Sequence, residues 1–68
     1  MREQLDRLIE EMVDKGIRYA DAQREFERRF IAQVLARQDG CLLKTASALG
    51  MHRNTLSRKL VEHRLKRR

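Results

Sequence analysis

The sequence is short and basic, and it offers few ways to stabilise a fold. It has 68 residues and a formal net charge of +6 at pH 7, with one cysteine and two histidines. One cysteine excludes an internal disulfide, and this cysteine and histidine count does not make a zinc-finger ligand set. A folded domain of this length buries only about 60% of the surface of its unfolded chain, so association with another chain is the remaining route to stability.

Apolar residues between glycines 16, 40 and 50 recur at helical spacing, which predicts an all-α domain of four helices. The first helix, α1, is predicted over about residues 2–14. Its apolar stripe comprises Leu5, Leu8, Ile9, Met12 and Val13. We expect Gly16 to end this helix in a left-handed conformation, with Lys15 as a cation at the negative end of the helix dipole.

The second helix, α2, is predicted from residue 20 or 21 to about 38, with Asp21 as the N-cap or first-turn anion and Gly40 after its end. Its apolar residues form a stripe too broad to be covered by α1 alone: Ala22, Phe26, Phe30, Ile31, Val34 and Leu35. A monomeric hairpin would leave large apolar side chains in water, so we predict a two-fold homodimer. The predicted interface comprises Leu5, Leu8, Ile9, Met12, Phe26, Phe30 and Val34.

Two shorter helices are predicted next, α3 over about residues 43–49 and α4 over about residues 53–64, joined by a turn at Gly50 and Met51. Two short helices with a glycine in the turn between them are typical of a helix-turn-helix. Ala46 is expected where the two helices approach closely, and Gly50 where a Cβ would clash. The predicted small core comprises Leu42, Ala46, Leu49, Met51, Leu56 and Leu60. The chain then divides into dimerisation helices over 1–40 and a helix-turn-helix with a basic tail over 41–68, within one structural domain.

Charge is distributed unevenly along the chain. Residues 1–49 contain nine basic and nine acidic side chains, whereas residues 50–68 contain seven basic side chains and only one acidic residue, Glu62. A neutral front followed by a basic rear is typical of a polyanion-binding element on a scaffold. The tail from Lys66 onwards would by itself indicate no more than a solvated terminus.

The stretch from Gly40 to Leu60 contains a specific motif. It resembles the Fis family and the Fis-type C-terminal domains of bacterial enhancer-binding activators. The positions in register are Gly40, Ala46, Leu49, Gly50, Arg53, Thr55, Leu56, Lys59 and Leu60. The sequence departs from the family pattern at Cys41, where the family has an asparagine that often helps to bind phosphate, and at Thr45, which replaces an alanine. The resemblance implies a DNA-binding homodimer whose closely spaced recognition helices require the duplex to bend.

The side of α4 opposite Leu56 and Leu60 is predicted to contact DNA. Arginine can form paired hydrogen bonds with guanine and asparagine with adenine, so we expect base contacts from Arg53, Asn54 and Arg58, with smaller contributions from His52 and Ser57. Hydroxyl and cationic groups on the flanks suit phosphate. The predicted phosphate contacts are Lys44, Thr45, Thr55, Lys59 and Arg64.

The predicted function is sequence-selective transcriptional regulation in the bacterial cytoplasm, at the nucleoid, with double-stranded DNA and a second copy as partners. We expect no enzymatic activity, because Cys41 has no identifiable base beside it, and no cofactor, metal, membrane or small-molecule ligand. Two other functions remain open at this point: a nucleoid-associated architectural protein, and an oligomerisation or partner-binding module with an incidental basic tail. A free-standing protein is expected rather than the effector domain of a larger activator.

Overall fold

The computed structural model describes residues 1–66, and this part of the chain forms four α-helices. They are α1 (Arg2–Asp14), α2 (Tyr19–Arg37), α3 (Leu42–Leu49) and α4 (Arg53–Glu62). The predicted all-α class and the order of the helices are confirmed. The last two residues of the predicted basic tail, 67 and 68, lie outside the described residues. None of the helices in the described part is long and apolar enough to cross a membrane.

Of the two roles predicted for Asp21, N-cap or first-turn anion of α2, the second is confirmed. The N-cap is Arg18, whose carbonyl oxygen accepts a hydrogen bond from the backbone N–H of Ala22 at 2.9 Å. The helical hydrogen bonds therefore begin three residues before Asp21. This residue lies in the first turn, where its negative charge is favourable to the helix dipole.

Gly50 ends α3 in a left-handed conformation, with φ +71° and ψ +32°. Its N–H donates to the carbonyl oxygen of Ser47, and the N–H of Met51 donates to that of Ala46, so the turn satisfies carbonyl groups at the helix end. The predicted steric clash is wrong, because a Cβ at this position would meet no described atom within 4 Å. Glycine is favoured here by the backbone angle and not by lack of space.

A small core joins the helix-turn-helix to α2. Its buried members are Ile31, Leu35, Ala46, Leu56 and Leu60, with Leu42, Leu49, Met51 and Leu65 packed against them. The third helix, α3, packs against both α2 and α4. The last two helices are therefore anchored to one side of α2 by apolar contacts.

The part of α2 that carries Phe26 and Phe30 is open to solvent, and so is α1, in which Met12 is half-buried and the other residues are exposed. In the described chain none of the residues of α1 is buried, and Leu8 is 53% exposed. Phe26 and Phe30 are 59% and 51% exposed, and their ring centroids lie 5.4 Å apart. We call this surface, formed by the apolar side chains of α1 together with Phe26 and Phe30, the open apolar face.

We expect Gly50→Ala to lower the free energy of unfolding by about 1 kcal/mol, because alanine is disfavoured in the left-handed region. Gly50→Asn should lower it less, because asparagine tolerates that region better. Urea unfolding followed by circular dichroism would compare the two variants. A larger loss for asparagine, the bulkier residue, would show that space and not the backbone angle is limiting.

Candidate nucleic-acid interface

The outward side of α4 carries the predicted base-reading residues. Leu56 and Leu60 are buried on its inner side, whereas Arg53, Asn54 and Arg58 are exposed. Arg53 and Asn54 lie in the first turn of the helix, and Arg58 lies about one turn further along. The helix therefore presents two guanidinium groups and one carboxamide to solvent over its first six residues.

His52 is the N-cap of α4, a role that the sequence analysis did not assign to it. Its Nδ1 accepts a hydrogen bond from the backbone N–H of Asn54 at 3.0 Å, which satisfies one donor at the helix start. A neutral ring with Nδ1 as acceptor carries its proton on Nε2. The exposed ring can therefore offer an N–H donor beside the two residues that follow it.

The predicted phosphate-binding residues do not share one environment. Lys44 is exposed on α3, and Thr55 is half-buried on α4. Arg64 is exposed but follows α4, which ends at Glu62, so the predicted extension to residue 64 is wrong. Arg64 has φ +55°, and the N–H of Leu65 donates to the carbonyl oxygen of Leu60 at 2.8 Å. This turn brings Leu65 back against the core.

Thr45 does not have the predicted exposed hydroxyl. Its side chain is fully buried, and Oγ1 donates to the carbonyl oxygen of Cys41 at 2.7 Å. A hydroxyl with an internal acceptor one turn earlier in the same helix is not available to a phosphate group. We therefore correct its role from a DNA contact to a residue of the protein interior.

Lys59 also departs from its predicted role, because its ammonium faces α2. Nζ donates to Oε1 of Glu27 at 2.9 Å, and the Lys59 side chain is only 29% exposed. The other carboxylate oxygen of Glu27, Oε2, lies 2.7 Å from Nε2 of His63, a residue that is 6% exposed. One carboxylate on α2 thus holds two side chains at the C-terminal end of α4. We call Glu27, Lys59 and His63 the interhelical ion-pair cluster.

The sequence analysis missed Glu27 and His63, although the spacing contains a signal. Glu27 lies four residues before Ile31 and eight before Leu35, which places it in the buried register of α2. His63 follows Leu60 by three residues and continues the inner side of α4. A charged residue in a buried register requires a hydrogen-bonding or charged partner, and Glu27 and His63 are such partners for each other.

Hydrogen bonding lowers the pKa of Glu27 below its ordinary value of 4.5, first through Lys59 and then through His63. Both interactions favour the charged carboxylate and outweigh the opposing effect of partial burial. The carboxylate is 31% exposed, so solvent weakens these interactions in part. The Glu27 carboxylate is therefore ionised at neutral pH.

The same region contains the ligand types of a metal site. Oxygen or nitrogen atoms of Glu27, Glu62 and His63 lie within 4.8 Å of one another, beside a cleft of about 240 Å³ that Arg24 also lines. However, both oxygens of Glu27 already have protein partners, and one of them is the Lys59 ammonium. The arrangement fits an ion-pair cluster better than a cation site.

The pH dependence of stability should report the lowered pKa of Glu27. A carboxylate whose pKa is lowered by folding adds stability above its unfolded value, and this contribution is lost as the pH falls through the folded pKa. We therefore expect Glu27→Gln to reduce the free energy of unfolding at pH 7, and the difference from wild type to shrink as the pH falls below 4.5 and through the lower pKa of the folded state. Urea unfolding across this range would measure it.

Glu25→Gln is the matched control for that experiment, because it removes one charge from an exposed pair with Arg29 within the same helix. Exposed pairs contribute little, so its effect should be small at every pH. Equal, pH-independent losses in the two variants would contradict a special role for Glu27.

Comparison with known protein families finds a match. A family model described as "Bacterial regulatory protein, Fis family" matches residues 22–63, which is more than half of the chain. The matched region runs from the first turns of α2 to the residue after α4, and so contains the core, the outward side of α4 and the interhelical ion-pair cluster. No curated protein and no solved structure gives a match.

Proposed function

The chain belongs to the Fis family of bacterial regulatory proteins, a family of DNA-binding regulators, and we propose that it regulates transcription by binding specific sites as a homodimer. The observation that carries this proposal is the outward side of α4, where Arg53, Asn54 and Arg58 are exposed over a buried inner side. A helix presented in this way is the element that a helix-turn-helix inserts into the major groove.

Base readout is proposed for the N-terminal half of α4. A ten-residue helix is about 15 Å long, and the major groove, about 12 Å wide, admits it end-on or at an angle. Arg53 and Arg58 suit guanine and Asn54 suits adenine, because each can form paired hydrogen bonds with the base edge. His52 adds an N–H donor at the helix start, and Ser57 a hydroxyl on the flank.

Phosphate contacts are proposed for residues on and around α4. Lys44 on α3 and Arg64 after the end of α4 are exposed cations, and Thr55 on α4 is half-buried and has a hydroxyl group that can bind a phosphate oxygen. The residues before position 50 are neutral overall, so the positive field lies mainly at this end of the chain. Binding should weaken steeply as salt is added.

A second copy of the chain is the proposed cover of the open apolar face. The radius of gyration is 13.5 Å, whereas a compact chain of this length has one of about 11 Å. The accessible surface is 6075 Å², about 1,600 Å² more than expected for a folded chain of this mass. If each of two copies buried half of its excess, about 800 Å², the interface would bury about 1,600 Å² in total, which is the standard size of a stable protein–protein interface.

A homodimer would present two copies of α4 to a site with matching two-fold symmetry. We propose that the duplex bends to meet both helices, so that the cost of bending contributes to site selection. The competing function is a module that binds another protein through the open apolar face. The exposed apolar side chains of α1, which also support a homodimer, favour that alternative. It assigns no role to the exposed guanidinium groups of α4.

Selection of bound duplexes from a random pool tests the proposal most directly. We expect a pseudo-palindromic consensus, and a circular-permutation gel assay should detect a bend in it. Arg53→Ala should weaken binding to this consensus by about 1–3 kcal/mol and relax selection at one base position in each half-site. Arg7→Ala, on α1 far along the chain from α4, is the control and should leave the consensus unchanged.

Each alternative has a distinct outcome in this experiment. An equal loss on every duplex would make Arg53 a phosphate contact, and a pool without a consensus would favour an architectural protein. Absence of binding even at low salt would favour the partner-binding module.

A further inference from the structure

The interhelical ion-pair cluster connects the helix that carries the open apolar face to the helix that faces outward. Resting on the proposed function, we propose that Glu27 is a positioning residue for DNA binding: it neutralises Lys59 within the protein and thereby withholds this cation from the phosphate backbone. The effect is to limit the sequence-independent attraction of α4 for DNA.

Geometry supports an internal role for Lys59. The residue follows Leu56 by three positions and precedes Leu60 by one, so it emerges beside the buried side of α4. Its ammonium lies 2.9 Å from Glu27 on α2, and its side chain is less than one-third exposed. Arg53 and Arg58 on the same helix, in contrast, are exposed to solvent.

A change of partner would be unfavourable for Lys59. If its ammonium moved to a phosphate, Oε1 of Glu27 would lose its hydrogen bond at 2.9 Å, and the carboxylate would lose its Lys59 partner close to a polyanion. Glu62 lines the same cleft and would add to this negative charge, with Arg24 as the remaining cation there. His63, which is buried against Oε2, holds the carboxylate in place.

The salt dependence of DNA binding distinguishes an internal cation from a DNA-contacting one. Each cation that binds phosphate steepens the plot of log affinity against log salt concentration by about 0.9. Release of Lys59 in both subunits should therefore steepen the slope by about 1.8. Between 200 and 50 mM salt, this corresponds to an additional gain in affinity of roughly 12-fold.

The first test compares Glu27→Gln with Glu25→Gln by fluorescence anisotropy on a mixed-sequence duplex over this salt range. Glutamine keeps the shape and an acceptor oxygen at position 27 but removes the charge. We expect the steeper slope only in Glu27→Gln, because the partner of Glu25 is Arg29 within α2. The same change in both variants would reveal a general charge effect and overturn the inference.

The second test uses the double variant Glu27→Gln/Lys59→Gln, which has the same net charge as the wild type. Its slope should equal that of the wild type, because an internally neutral pair has been removed. A slope shallower by about 0.9 per subunit would place Lys59 on a phosphate in the wild-type complex and overturn the inference.

A third measurement needs no substitution, so it remains decisive if a variant does not fold. The ¹⁵Nζ resonance of Lys59 in the wild-type protein should stay unchanged when DNA is added. A shift as large as that of a DNA-contacting cation would overturn the inference. Wild-type protein that binds no DNA at low salt would defeat the proposed function as well, whereas tight binding with identical slopes in both single variants would defeat only the role of Glu27.

Discussion

The two apolar sides of α2 are the constraint on which the rest of the structure depends. Ile31 and Leu35 lie on one side and bury the helix-turn-helix against α2, while Phe26 and Phe30 lie on the other side and remain half-exposed. A chain of 68 residues is too short to cover both sides. One side of α2 therefore packs against the helix-turn-helix of the same chain, and the other side is free to pack against a second copy.

The cationic side chains of α4 fall into two groups, exposed and ion-paired. Arg53 and Arg58 on α4 are exposed, whereas Lys59 is paired with Glu27. The carboxylate belongs to the same helix that contributes Ile31 and Leu35 to the core, so apolar packing and ion pairing hold α4 at neighbouring points. The packing of α4 against α2 therefore determines which cationic side chains of α4 are free to contact DNA.

Periodicity predicted the helices well, and the residues in register between Gly40 and Leu60 carried the resemblance to the family, because both depend on local sequence. It could not determine which part of a broad stripe packs within the chain: Phe26 and Ile31 are equally apolar, and only the position of the helix-turn-helix separates them. Periodicity also could not identify partners that are distant in sequence. Lys59 was predicted to bind phosphate because its acceptor, Glu27, lies 32 residues away in the chain. Thr45 was predicted to bind phosphate because its spacing did not show that its hydroxyl donates to the carbonyl oxygen of Cys41.

In the proposed homodimer a second copy covers the open apolar face, and the two copies of α4 form a symmetric pair. Sedimentation equilibrium of the wild-type protein over a range of micromolar concentrations measures this association. We expect a species with twice the chain mass of 8.1 kDa, which dissociates only on dilution. A species of 8.1 kDa at every concentration, folded and with Phe26 and Phe30 still exposed, would contradict the proposed homodimer.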